Sequence, residues 1–141
     1  MINRKILISW IVSSIVMFIA SYLWHGVFLN DFSRITYPKA IFFIVASVVY
    51  LTIGFIIAKA YEIKYESLLQ KKPRLKGTLT GAICGLLIYL ITMVVGISFS
   101  KTMTTEYLLI DLGWQMLEQA IGGFAVGVTH IILIRKSPYW I

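Results

Sequence analysis

"LLIDLGWQMLEQAIGGFAVGVTHIILI", residues 108–134, is the stretch whose reading decides the fold. It exceeds the roughly 20 residues that a helix needs to cross a bilayer, yet its first half holds Asp111, Gln115, Glu118 and Gln119. Polar side chains are costly in hydrocarbon and persist where they face protein, water or a ligand. On a helix at about 100° per residue, with Asp111 as zero, Gln115 falls near 40°, Glu118 near −20°, Gly122 near 20°, Trp114 near −60° and Gln119 near 80°. They form one polar stripe, while Leu112, Met116, Leu117, Ile121 and Phe124 supply much of the remaining surface for lipid.

Three further stretches are long and apolar enough to be spans. They are 6–29 ("ILISWIVSSIVMFIASYLWHGVFL"), 40–60 ("AIFFIVASVVYLTIGFIIAKA") and 77–99 ("GTLTGAICGLLIYLITMVVGISF"). The whole chain agrees: 59% of its 141 residues are hydrophobic and 13% are charged, against about 25% charged in an ordinary soluble domain. Its mean hydropathy is +0.85. The expectation is an all-α integral membrane four-helix bundle, antiparallel, forming a single domain over 1–141. The first span follows the basic start "MINRK" but is too long for a signal-peptide core, and Phe18 occupies a position where cleavage needs a small residue, so the span reads as retained.

The net charge of +7 first suggests a nucleic-acid partner, but the placement of the basic residues argues otherwise. Ten of the 13 Lys and Arg lie before the first span, around the middle loop (Lys59 to Lys76) or after the last span, whereas the two opposite loops hold Arg34, Lys39 and Lys101. This is a positive-inside bias, and it assigns both termini and the middle loop to the cytoplasm. The charge is read as a topology signal with no nucleic-acid partner, and the basic run "KKPRLK" as an anchor beside lipid headgroups. The first part of the middle loop, "YEIKYESLLQKKPRLK", can extend the second helix, with Glu62 and Glu66 one turn apart beside Lys59 and Lys64, and Pro73 then stops it.

With that topology the fourth helix enters from outside, and Glu118 lies about 10 Å deeper than Asp111, from seven residues at 1.5 Å each. The first helix ends on the same side in "SYLWHGVFLND". His25, Asp111, Gln115 and Glu118 are therefore the candidate ligand-binding residues of an outward-facing pocket between the first and fourth helices, with Trp24, Asp31 and Trp114 at its rim. Ser98, Ser100, Thr102 and Glu106 belong to the same side. A His beside a carboxylate can relay a proton. His with two carboxylates can also hold a divalent metal, but no HExxH or CxxC pattern is present, so metal and cofactor stay unassigned. No nucleophile sits in a GxSxG-like setting. The alternative for every one of these residues is a hydrogen bond that locks one helix against another. His130, off the stripe and near the other end, reads as interfacial, and the lone Cys84 as a small packing residue.

Small residues recur at packing intervals. Gly77, Gly81 and Gly85 form GxxxGxxxG, Gly123 and Gly127 form GxxxG, and Gly54 pairs with Ala58. Such faces bring helices close, within one chain or between copies of a homo-oligomer. "LWHGVFLNDF", the glycine-rich third span and "LLIDLGWQMLEQAIGGFAVG" together resemble a family of small bacterial four-helix membrane proteins, in which an aromatic-aromatic/His-Gly element ends the first helix and an acidic "ID-x-G-aromatic" start opens the last. The resemblance implies a multi-pass protein of the bacterial cytoplasmic (inner) membrane and implies no activity. Two functions are carried forward. One is a membrane protein whose outward-facing polar pocket binds or passes a small polar or cationic species or a proton. The other is a non-catalytic accessory or scaffold subunit that docks another membrane protein, and an enzyme ranks third for want of a catalytic motif.

Overall fold

The computed structural model describes residues 4–63, 67–99 and 104–135, and every regular element in them is helical. Helix α1 spans Arg4–Ser21 and continues as a π-helical segment, Tyr22–Phe28. A short 3-10 turn, Asp31–Arg34, precedes α2 at Lys39–Tyr61. A four-residue α3, Ser67–Gln70, lies in the middle connection, followed by α4 at Pro73–Phe99 and α5 at Thr105–Arg135. Four of these helices are long and apolar enough to cross a membrane, at Arg4–Phe28, Lys39–Tyr61, Pro73–Val95 and Thr105–Ile134.

The middle connection differs from expectation. Helix α2 ends at Tyr61, and Pro73 opens α4 rather than stopping a prolonged α2. Proline suits a first helical turn, where its missing N–H has no intrahelical partner to lose and its fixed φ is already helical. Lys59 Nζ does reach Glu62 Oε2 at 3.2 Å, while Lys64, Glu66, Ser100 and Thr102 lie outside the described residues.

Helices α4 and α5 make the most extensive contact in the bundle. It is backbone on backbone. A Cβ added at Gly77 would meet the Gly123 carbonyl, and one at Gly123 would meet that of Gly77; Gly81 lies on Gln119, Gly85 on Gln115 and Gly127 on Pro73. The partner number on α5 falls as the number on α4 rises, in steps of four, so one glycine row lies along the other. Such closeness lets the two backbones gain dispersion contacts along their length.

Helix α1 joins the pair through serines. Ser9 and Ser13 are completely buried; the Ser9 hydroxyl lies 3.0 Å from His130 Nδ1, and Ser13 Oγ donates to the Gly122 carbonyl at 3.0 Å. Met17 packs over Gly122. On its other side α1 meets α2, where Ser14 lies on Gly54 and the Trp10 indole N–H donates to the Leu51 carbonyl at 2.6 Å. The Ser9 hydroxyl also gives its proton to the Lys5 carbonyl. Nδ1 of His130 thus faces two acceptors, Ser9 Oγ and the Val126 carbonyl, and must itself carry a proton. The ring leans on Tyr61, with centroids 4.5 Å apart, and Lys76 Nζ sits over the Tyr61 ring, 4.6 Å from its centroid.

Between the π-helical segment and the 3-10 turn the chain reverses at Asn30, the one non-glycine residue with positive φ among those described, at 53°. Its carbonyl accepts from Ser33 Oγ at 2.7 Å. Asn tolerates this left-handed conformation and Gly adopts it freely, whereas a β-branched side chain is strained there. Asn30→Gly is expected to change stability by less than about 0.5 kcal/mol and Asn30→Val to lower it by about 1–2 kcal/mol, read from denaturant titrations in mixed micelles.

Candidate functional site

Each residue of "WHG" in the π-helical segment has its own task. A π-helical turn widens the backbone ring and offsets the side chains that follow, and such turns recur at functional sites. Trp24 stacks on Trp114 of α5, with centroids 4.3 Å apart and planes within 9°. His25 Nδ1 lies 2.9 Å from Asp31 Oδ2 across the reversal. Gly26 leaves room for the Phe32 ring, which a Cβ at that position would strike. A carboxylate can only accept, so in this bond Nδ1 of His25 is the donor. Arg34 approaches the other Asp31 oxygen at 3.7 Å from an 81% exposed side chain, a surface pair contributing about 0–1 kcal/mol.

His25 and Asp31 stand in the wall of a cavity of ≈700 Å³ formed by the end of α1, the first loop and the first half of α2. Ser21 and Tyr50 complete its polar wall, and the rest is mostly aromatic and aliphatic. The opening therefore differs in place from the one expected between the first and last helices. That interface is filled: Trp24 covers Trp114, and Met17 and Ser13 cover Gly122.

Glu118 lies behind this wall. It is 1% exposed. Tyr50, Trp114 and His25 are the polar neighbours of its carboxyl group, and Ser21 adjoins Tyr50. Even so, Glu118 Oε1 and Trp114 Nε1 are buried without a hydrogen-bond partner of good geometry. A buried polar atom left unsatisfied costs about 1–3 kcal/mol, so this corner is polar beyond what its own contacts absorb.

The polar stripe of α5 divides between two neighbours. Asp111, Gln115 and Gln119 follow the row that continues into Gly123 and Gly127 and face α4. Gln115 and Gln119 lie over Gly85 and Gly81, and Asp111, exposed, acts electrostatically on Tyr89, whose hydroxyl donates to the Leu108 carbonyl at 2.6 Å. Trp114, Glu118 and Gly122 follow the adjacent row and face α1 and α2. Of the residues picked from the sequence, the structure thus brings His25, Asp31, Trp24, Trp114 and Glu118 together and sets Asp111 and Gln115 on the neighbouring face. Sequence reasoning missed Tyr50 and Ser21. The signal for Tyr50 was available, since a tyrosine midway along the most apolar span, of mean hydropathy 2.7, needs a partner for its hydroxyl. Among the described residues no three His, Cys, Asp or Glu side chains are grouped as a metal site.

Comparison with known proteins finds no matching family model, no matching curated protein and no matching solved structure. The functional reading rests on the site itself.

Proposed function

We propose that the chain is a multi-pass protein of a bacterial cytoplasmic membrane, an antiparallel bundle with both termini and the middle loop inside, whose cavity opens outward and binds or passes a small polar or cationic species or a proton. The charge asymmetry supports the orientation, and the resemblance of "LWHGVFLNDF" and of the last span supports the setting. With this orientation the reversal at Asn30 is at the outer surface. Tyr50 then lies about 16 Å inward from the start of α2, by 11 residues at 1.5 Å each, at a depth where a carboxyl group needs a purpose.

The observation that carries the reading is the carboxyl of Glu118, 1% exposed and with an unpartnered oxygen, separated from a ≈700 Å³ cavity by the Tyr50 hydroxyl. A carboxyl group behind a hydroxyl and beside a histidine can attract a positive charge or exchange a proton with the cavity. Native mass spectrometry of gently extracted protein tests this. The expected result is a small adduct on the 16.0 kDa chain that is lost in Glu118→Gln. A bound protein in its place, unaffected by the substitution, contradicts the reading and favours a docking subunit.

A further inference from the structure

The walls of the cavity narrow the chemistry of its occupant. Tyr22, Phe32, Phe42 and Phe43 all line it and form one aromatic cluster, with centroids of 5.5 Å for Tyr22 and Phe32, 5.3 Å for Phe32 and Phe42, and 5.6 Å for Phe42 and Phe43. Phe18 and Tyr50 form a further edge-on pair at 5.9 Å. Ring faces carry the negative part of the aromatic quadrupole and attract a cation within about 6 Å. At its polar end the cavity has one carboxylate in the wall, Asp31, and a second behind Tyr50, Glu118.

The basic groups nearby do not cancel this field. Arg34 lies outside the lining and is 81% exposed. His25, the one basic side chain in the wall, is engaged through Nδ1 with Asp31. An anion would face two carboxyl groups and the ring quadrupoles. A small hydrated cation would find little to replace its water along the aromatic wall, and a neutral apolar molecule would make no use of the Asp31 carboxylate in that wall. The ≈700 Å³ volume falls within the range of about 300–1,000 Å³ that suits a ligand of some tens of atoms.

We propose that the cavity binds a lipophilic organic cation, an amine or onium centre on an aromatic or alkyl body, with the rings of Tyr22, Phe32 and Phe43 around the body, the Asp31 carboxylate in the wall pairing with the charge, and the Glu118 carboxyl behind Tyr50 adding to the attraction from a distance. This rests on the reading of the cavity as a ligand site and names the ligand class. The onium centre displaces Arg34 from Asp31 at little cost, because that pair is weak.

Two probes of one shape and opposite charge test it: tetraphenylphosphonium and tetraphenylborate. Binding of each to the full chain in mild detergent is measured by equilibrium dialysis, with protein-free micelles subtracted. The expected result is saturable binding of one phosphonium per chain, at least about tenfold tighter than borate, or about 1.4 kcal/mol. Asp31→Asn is expected to weaken phosphonium about tenfold and leave borate unchanged. Should that variant disturb the first loop, Phe43→Leu keeps an apolar wall without its ring face and is expected to reduce phosphonium binding severalfold, and borate binding not at all. Equal affinity for the two ions, tighter borate, or no saturable phosphonium binding overturns the proposal. If phosphonium fails while a native adduct still depends on Glu118, the ligand class is wrong and the site stands. If Glu118→Gln leaves every adduct in place, the site itself falls.

Discussion

Gly123→Leu leaves no folded bundle, and Gly123→Ala costs about 2–3 kcal/mol, the upper range for overpacking a tight interface. The glycine lies on the Gly77 carbonyl of α4, and the reciprocal contact holds at Gly77, so an added methyl meets rigid backbone rather than the end of a movable side chain. Relief requires α4 and α5 to separate along their whole length, which forfeits the contacts at Gly81, Gly85 and Gly127 as well. The control lies in the same helix. A methyl group added at Gly113 would have nothing within 4 Å, so Gly113→Ala is expected to be neutral or to stabilise by up to about 1 kcal/mol through helix propensity. Unfolding of both variants in mixed micelles, followed by far-ultraviolet circular dichroism, separates the two. Equal effects would show that the glycine rows do not hold the helices.

Glu118→Gln is expected to abolish ligand binding, by about 3 kcal/mol or roughly a hundredfold, while leaving the fold at least as stable as before. The amide has the shape of the carboxyl and can still accept from Tyr50, but it holds no charge and cannot exchange a proton. Removing an ionisable group from a site where it is 1% exposed relieves desolvation. A group present only to bind one helix to another behaves in the opposite way: stability falls and any adduct survives. Thermal unfolding and native mass spectrometry on the same preparation read both quantities. Asp111→Asn serves as comparison, because Asp111 is exposed on the adjacent row beside Tyr89, and it is expected to change neither.

The spans were legible because lipid-length apolar runs need little more than counting. The expected 6–29, 40–60, 77–99 and 108–134 lie within a few residues of the helical limits at Arg4–Phe28, Lys39–Tyr61, Pro73–Phe99 and Thr105–Arg135. Where periodicity carries no information, the reading failed. Nothing in "YLWHGVF" distinguishes a π-helical turn from an α-helical one, since the choice depends on the Trp24 stack and the Phe32 ring against Gly26. Pro73 is compatible with ending one helix or opening the next, and the sequence alone favoured the wrong one.

The site was legible one residue at a time. Burial of Glu118 follows from its place within a long apolar span, and proximity of His25 to Asp31 from their being six residues apart across a reversal. A helical wheel assigns a face without saying how many neighbours share it, which is why Asp111 and Gln115 were grouped with Glu118 although they turn toward α4. The aromatic cavity was hidden for a related reason. Phe32, Phe42 and Phe43 come together only where the first loop folds back over the start of α2.

The most direct measurement is accessibility at the cavity wall. Ser21 lines the cavity next to the Tyr50 hydroxyl, and Cys84, the chain's one cysteine, is buried. Ser21→Cys in a Cys84→Ala background, treated in intact cells with a membrane-impermeant thiol reagent, is expected to be labelled from outside, with labelling slowed when the cavity is occupied. Failure to label from outside, with labelling only in inverted membrane vesicles, would contradict an outward-opening cavity leading to Glu118.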